Sequence, residues 1–310
     1  SDCSLALEPD AVKWPVYTGC RSPRGVRPGG TVPPDAIEAA NDGGIVVHSF
    51  GSGSSGNAFL IVTADGALLI DCGIQSRALQ SHLRALRRPL AALDAVLISH
   101  EHVDHVRALP AIARSRTRIV ATAGTARACG IAPGAGGVRP GRIETIGAFA
   151  VTPVGVSHDA AEPCGYHIAH AAGRVLIVTD LGVGDPALHD PLRDADLIVL
   201  EANHDEAMLR AGPYPARLKR RVLSPVGHLS NRACGDLLAA ALAGGPRPAM
   251  IWLAHLSATN NRPELAARTV RERLAAADVE VDLLPLPRSS GAVGSAAGRP
   301  AARQMPLGLT

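Results

Sequence analysis

His100-Glu101-His102-Val103-Asp104-His105 places four metal-capable side chains within six residues. Imidazole nitrogens and carboxylate oxygens together suit zinc and similar divalent ions. The segment follows Ala95-Val96-Leu97-Ile98, an apolar run that reads as a buried strand. Side chains alternate with period two along a strand, so His100 and His102 can point the same way. If the chain then turns into a helix, Asp104 and His105 fall in its first turn and face the same space. The spacing offers two ligands to one ion and two to a second. A surface loop that merely holds several histidines is the plain alternative, and the order of residue types argues against it.

A two-ion site needs more donors, and they are expected at strand ends. His158 follows the alternating run Phe149 to Val156, Asp180 closes the apolar run Arg174 to Thr179, and His255 closes Met250 to Ala254. Singly, each reads as a capping or surface residue. Together with the first motif they read as one donor set.

The pattern HxHxDH at His100–His105 matches the signature of the metallo-β-lactamase superfamily. Further segments resemble its YycJ/WalJ-like branch: Gly51–Asn57, Asp71-Cys72-Gly73, Leu200–Asp205, Gly227–Asn231 and His255–Asn261. The resemblance covers roughly residues 45 to 287. It implies a four-layer αββα sandwich and a DNA exonuclease acting from the 5′ end. A branch of cyclic phosphodiesterases shares the same ligand order. By resemblance, His100, His102 and His158 take one ion, Asp104, His105 and His255 take the second, and Asp180 bridges. Two divalent ions are expected, zinc first and manganese as the alternative. Ions about 3.5–4 Å apart can hold a hydroxide between them, because they lower the pKa of bound water to about 7.

Asp104 and His228 are the expected catalytic residues. His228, in Gly227-His228-Leu229-Ser230, reads either as a donor to the leaving oxygen or phosphate, or as a histidine near a helix start. Ser54, Asn57, His204, His228 and Asn260 are the expected substrate contacts. For Gly51–Asn57 a plain turn is the competing reading, and the loop lacks the Lys-Ser/Thr ending of a P-loop. His204 is equally well read as structural. Asp71 either orients a ligand histidine or simply ends a strand. Arg217, Lys219, Arg220 and Arg221 form either a solvated face or a guide for a phosphate backbone.

Stepping outward from these residues, the elements that must position them are mixed. Ile45–Ser49, Ala58–Thr63 and Ala67–Asp71 read as a strand meander. Gln75–Arg88 reads as a helix stopped before Pro89, and Val106–Arg114 as a helix after the metal motif. Strands are expected at Ala95–Ser99, Arg118–Ala121, Phe149–Val156, Arg174–Thr179, Leu197–Leu200 and Met250–Ala254. Ser230 is the expected N-cap of a helix ended by Gly244-Gly245, and Pro263 opens a last helix. Residues 1–44 read as an irregular extension, 45–287 as the hydrolase domain and 288–310 as a disordered tail.

The 310 residues are 46% hydrophobic but only 3% aromatic, so the core must rest on Ala, Val, Leu and Ile. A net charge of +3 is too weak to argue nucleic-acid binding by itself. Six scattered cysteines without a CxxC pair argue against a thiolate zinc site and a dense disulfide framework, and fit a reduced, cytoplasmic setting. No apolar stretch is long enough for a membrane span, and the amino end lacks a signal-peptide pattern. The expected substrate is DNA. A small phosphodiester or a β-lactam are the alternatives, and the oligomeric state is open.

Overall fold

The computed structural model describes residues 44–131, 137–246 and 248–296. Two seven-stranded sheets form its centre. The first takes β1 (Ile45–Gly51), β2 (Ala58–Val62), β3 (Ala67–Ile70), β4 (Ala95–Leu97), β5 (Ile119–Thr122) and β6 (Gly137–Val138). The second takes β7 (Glu144–Ile146), β8 (Phe149–Gly155), β9 (Cys164–His170), β10 (Gly173–Val178), β11 (Leu197–Glu201), β12 (Met250–Ala254) and β13 (Leu283–Pro285). A last strand, β14 (Ser289–Ala296), returns to the first sheet and pairs antiparallel with β1. The orders are β14-β1-β2-β3-β4-β5-β6 and β13-β12-β11-β10-β9-β8-β7.

Alternation along the strands sorts side chains into three apolar layers. Val47, Phe59, Ile61 and Ile70 of the first sheet cluster with Tyr166, Ile177, Val199 and Trp252 of the second, forming the layer between the sheets. Val46, Leu60, Leu69 and Val96 point outward to Leu79 and Leu83 of the helix Ser76–Ala85. Leu176, Ile198, Leu200 and Leu253 point outward to Leu238 of the helix Asn231–Leu242 and Val270 of the helix Pro263–Ala275. Helices on both outer faces explain why β11 is buried along its whole length. This is the expected four-layer αββα sandwich.

Ser230 caps Asn231–Leu242 by accepting from Ala233 N at 3.2 Å. The single helix expected over Val106–Arg114 is instead two turns, Val103–Val106 and Leu109–Ile112. Pro110 accounts for the break, since it has no N–H for the Val106 carbonyl and its ring clashes there. Helical geometry therefore begins inside the metal motif.

β9 has no counterpart among the expected strands. The tail expected to be irregular from residue 288 is also corrected: Ser289–Ala296 pairs with β1 from Gly51↔Ser289 to Ile45↔Ala296. A ladder is made by backbone groups, so a Ser/Gly/Ala run can supply it without an apolar face. Residues 1–43 and 297–310 lie outside the described residues, and so do the expectations placed on them.

Candidate metal centre

Strands β3, β4, β5 and β6 run parallel, as do β10, β11, β12 and β13, so their carboxyl ends collect at one edge of each sheet. Asp71 follows β3, Asp180 follows β10 and His255 follows β12. All three adopt left-handed backbone angles, with φ of 57°, 57° and 55°. Such angles are uncommon outside glycine and recur where function fixes the backbone. Here they turn three side chains into the space between the sheet ends.

His100, His102 and His158 bring one ligand atom each to within 4.8 Å of one another. Asp104, His105 and His255 do the same, and Asp180 joins His100 and His105 in a further set. The expected donors of both ions are thus brought together. The rings are held by their far nitrogens. His105 Nδ1 donates to Asp71 Oδ2 at 2.7 Å, and Asp71 is itself fixed by Ser99 N at 2.8 Å and Ser99 Oγ at 2.9 Å. His158 Nδ1 donates to Gly227 O at 2.9 Å. His100 Nδ1 meets Ser99 Oγ at 3.0 Å. Partners of this kind set the tautomer and leave Nε2 facing the centre.

Electrostatics divide the cluster. Burial holds His100 well below the usual imidazole value, and the nearby His105 adds to this. Burial also lowers His158, against the pull of Asp180. For His105 burial is outweighed by Asp71 and Asp180, and its value rises to about 10. His255 is likewise driven up by Asp180, Asp104 and Glu201 despite complete burial. Asp180 sits well below the carboxylate range, because His255 and His105 overcome its desolvation. Protons here balance buried carboxylates, and divalent ions would replace them.

The donor set fits such ions. His100 Nε2 and His255 Nε2 are buried without a hydrogen-bond partner, a costly state for polar atoms in an interior. Both belong to the donor sets, and each set combines imidazole with carboxylate or more imidazole.

Glu201 was missed from sequence. It ends β11, is fully buried, and accepts from Leu181 N at 2.8 Å and Leu229 N at 3.3 Å. Its other oxygen takes His228 Nδ1 at 2.9 Å and His255 Nδ1 at 3.0 Å. Despite burial, His228 and His255 pull it down to about 2. His228 is raised in turn: burial lowers it, and the Glu201 carboxylate more than reverses this. The signal was available, since Glu201 is an acid closing an apolar strand, as Asp180 is. Asn203 was missed too; its amide donates to His255 O at 2.9 Å.

The expected substrate contacts separate. Ser54 is exposed at the loop tip and His228 is only 14% exposed at the centre. Asn57 reaches the centre through its side-chain amide. It is fully buried, its Oδ1 accepts from Gly53 N at 2.8 Å, and its Nδ2 lies 2.9 Å from His105 Nε2. The Gly53 bond closes its loop, and the loop in turn sets the amide against the donor nitrogen of His105. His204 and Asn260 are buried at 1% exposure in the loops following β11 and β12. Both His204 ring nitrogens and Asn260 Oδ1 lack partners. Arg221 of the helix Ala216–Val222 grips Asp159 with 2.6 and 3.0 Å contacts, beside His158.

Comparison with known proteins agrees with this geometry. The Beta-lactamase superfamily domain matches residues 67–252. Exodeoxyribonuclease WalJ of Streptococcus pneumoniae is 36% identical over 74% of this chain and 88% of its own length. Exodeoxyribonuclease YycJ of Bacillus anthracis is 33% identical over 72% of this chain and 86% of its own. The metallo-β-lactamase fold protein YhfI of Bacillus subtilis superposes with a TM-score of 0.60 at 19% identity, covering 81% of this chain and 99% of that one. The chain belongs to the metallo-β-lactamase superfamily, among its WalJ/YycJ-like members.

Proposed function

We propose that this chain is a divalent-metal-dependent phosphodiesterase, a DNA exonuclease removing nucleotides from the 5′ end. The observation that carries the reading is His228, held by buried Glu201 and clustered with Asp180 and His255 of the donor residues. A phosphodiester has a poor alkoxide leaving group, which a proton held at that place would serve. The names of the WalJ and YycJ relatives support DNA as substrate. The 5′ direction rests on the branch whose motifs the chain resembles.

We assign His100, His102 and His158 to one ion, Asp104, His105 and His255 to a second, and Asp180 to both. The nitrogen-rich donors favour zinc, with manganese as the alternative. When bound, the ions supply an activated water at neutral pH and offset charge developing on phosphoryl oxygens. The chain's own residues do the remainder. Asp71, Ser99 and the Gly227 carbonyl fix the ligand rings. Asp104 is the more open of the two carboxylate donors, with a side chain 21% exposed against 3% for Asp180. His228, protonated through Glu201, donates from Nε2 to the leaving oxygen.

Among the described residues no helix is long and apolar enough to cross a membrane. Cys72, Cys129, Cys164 and Cys234 are all free, which supports a reducing, cytoplasmic location. The test is purified protein with zinc or manganese, given 5′-labelled single- and double-stranded DNA, bis-p-nitrophenyl phosphate and a chromogenic lactam. Early, metal-dependent release of the labelled terminal nucleotide is expected. Lactam turnover without DNA degradation would reject the reading.

A further inference from the structure

The helix Ala216–Val222, reading ARLKRRV, carries four cations and no acid. It is tied to the metal centre at its far end. Val222 O accepts from His228 N at 3.0 Å, and Arg221 pairs with Asp159, the neighbour of His158. Two of the other cations have no such duty. Arg217 and Arg220 are exposed and make no ion pair among the described residues, whereas Lys219 donates to Arg210 O. They stand three residues apart, so they share one face of the helix, about 4.5 Å apart along its axis.

Exposed apolar side chains adjoin residues of the same site in sequence. Only four large apolar residues are described as exposed, and three adjoin the donors in sequence. Val103 (65% exposed) lies between His102 and Asp104, Val183 (47%) follows Asp180 by three residues, and Val226 (42%) precedes His228 by two. The loops of the last two are packed together, for a side chain at Gly182 would strike the Pro225 carbonyl. Unpaired cations and bare apolar groups beside one site suit a ligand that carries both phosphates and apolar bases.

We propose that the helix Ala216–Val222 is the track for a polynucleotide strand, with Arg217 and Arg220 holding its phosphates beyond the scissile bond. This rests on the DNA exonuclease reading and names the surface that holds the strand beyond the reacting bond. The test compares the wild type with the Arg217→Gln/Arg220→Gln double variant. Binding of a fluorescent single strand is followed by anisotropy across a salt series, and turnover is measured on that strand, on a trinucleotide and on bis-p-nitrophenyl phosphate. Losing two phosphate contacts should weaken strand binding roughly tenfold and lower the salt slope by about 1.4. The ratio of strand to bis-p-nitrophenyl phosphate kcat/KM should fall by the same factor. Arg84→Gln/Arg114→Gln, in a groove on the helix Ser76–Ala85, serves as the control for general charge. Unchanged strand affinity and salt slope would overturn the proposal, as would an equal loss on the trinucleotide or an equal loss in the control. A wild type that binds the strand but never cleaves it would reject the nuclease reading alone, since the binding comparison still decides the role of the helix.

Discussion

Glu201 holds His228 from beneath: a fully buried carboxylate oxygen lies 2.9 Å from His228 Nδ1. That charge keeps His228 above its usual value against the opposing effect of burial. Glu201→Gln removes the charge and keeps the shape. His228 should then lose its proton at lower pH, so the alkaline limb of the pH–kcat profile moves down. The amide must also face Leu181 N or His228 with a donor, costing about 1–3 kcal/mol. An unmoved alkaline limb in a folded variant would remove Glu201 from the proton pathway.

His228→Ala should keep its metal and lose roughly 10²–10⁴-fold in DNA turnover, the usual range for a positioned acid. A nitrophenyl ester, with its good leaving group, should suffer less. Equal losses on both substrates would assign His228 to phosphate binding instead.

Metal loading should depend on pH in a signed way. His105 is raised to about 10 in the ion-free centre, from an unfolded value of 6.5. Its contribution to the stability of ion-free protein is therefore full below about pH 6.5 and fades as pH rises through about 10. The melting temperature of chelator-stripped protein should fall over that window. Zinc affinity should rise over the same window, on the order of tenfold per pH unit for each proton displaced. Elemental analysis of loaded protein should give two ions, and His102→Ala should give fewer with activity abolished. A stripped protein whose stability rises with pH would contradict the assigned charge balance.

How much could be read in advance follows from the kind of signal each residue leaves. His100 to His105 stood out because four donors share one short segment. Asp180 and His255 stood out because a polar residue closes an apolar run. Glu201 gives that same signal, but its role depends on His228, 27 residues away, and no local pattern announces the pairing. Asn57 reads as a loop residue open to substrate, and only the packed loop reveals that its amide is turned onto His105. β9, CGYHIAH, mixes polar residues into both faces and lacks a clean period. β14, SSGAVGSA, has the composition of a linker, and its identity as a strand comes from β1 offering an edge.

That edge changes what the carboxyl end should do. Residues from 291 onward look dispensable by composition, yet β14 pairs along the whole of β1. A chain stopped after Arg288 leaves β1 as an open edge with unpaired backbone groups. Its melting temperature should fall by more than about 8 °C, on the order of 2–4 kcal/mol for a domain of this size. A melting temperature equal to that of the full chain would mean that the ladder adds nothing.

Gly73 tests whether the second donor set depends on backbone contact. Cys72 N donates to His105 O at 2.7 Å, Asn57 N to Asp104 O at 2.7 Å, and Gly73 N to Asn57 O at 2.8 Å. These bonds press the turn after β3 against the metal motif. A methyl group at Gly73 would collide with the Asp104 carbonyl and the His105 amide, both backbone, so no side chain can swing aside. Gly73→Ala must therefore displace Asp104 and His105, while His100 and His158 keep their own supports at Ser99 and Gly227. The variant should fold, bind about one equivalent of zinc fewer, and lose on the order of 10²-fold in turnover, as expected for a misplacement near 1 Å. Gly137→Ala is the matched control, because no atom of the described residues lies within 4 Å of the added methyl group. Full zinc loading and wild-type turnover in Gly73→Ala would show that the turn can yield without moving the ligands.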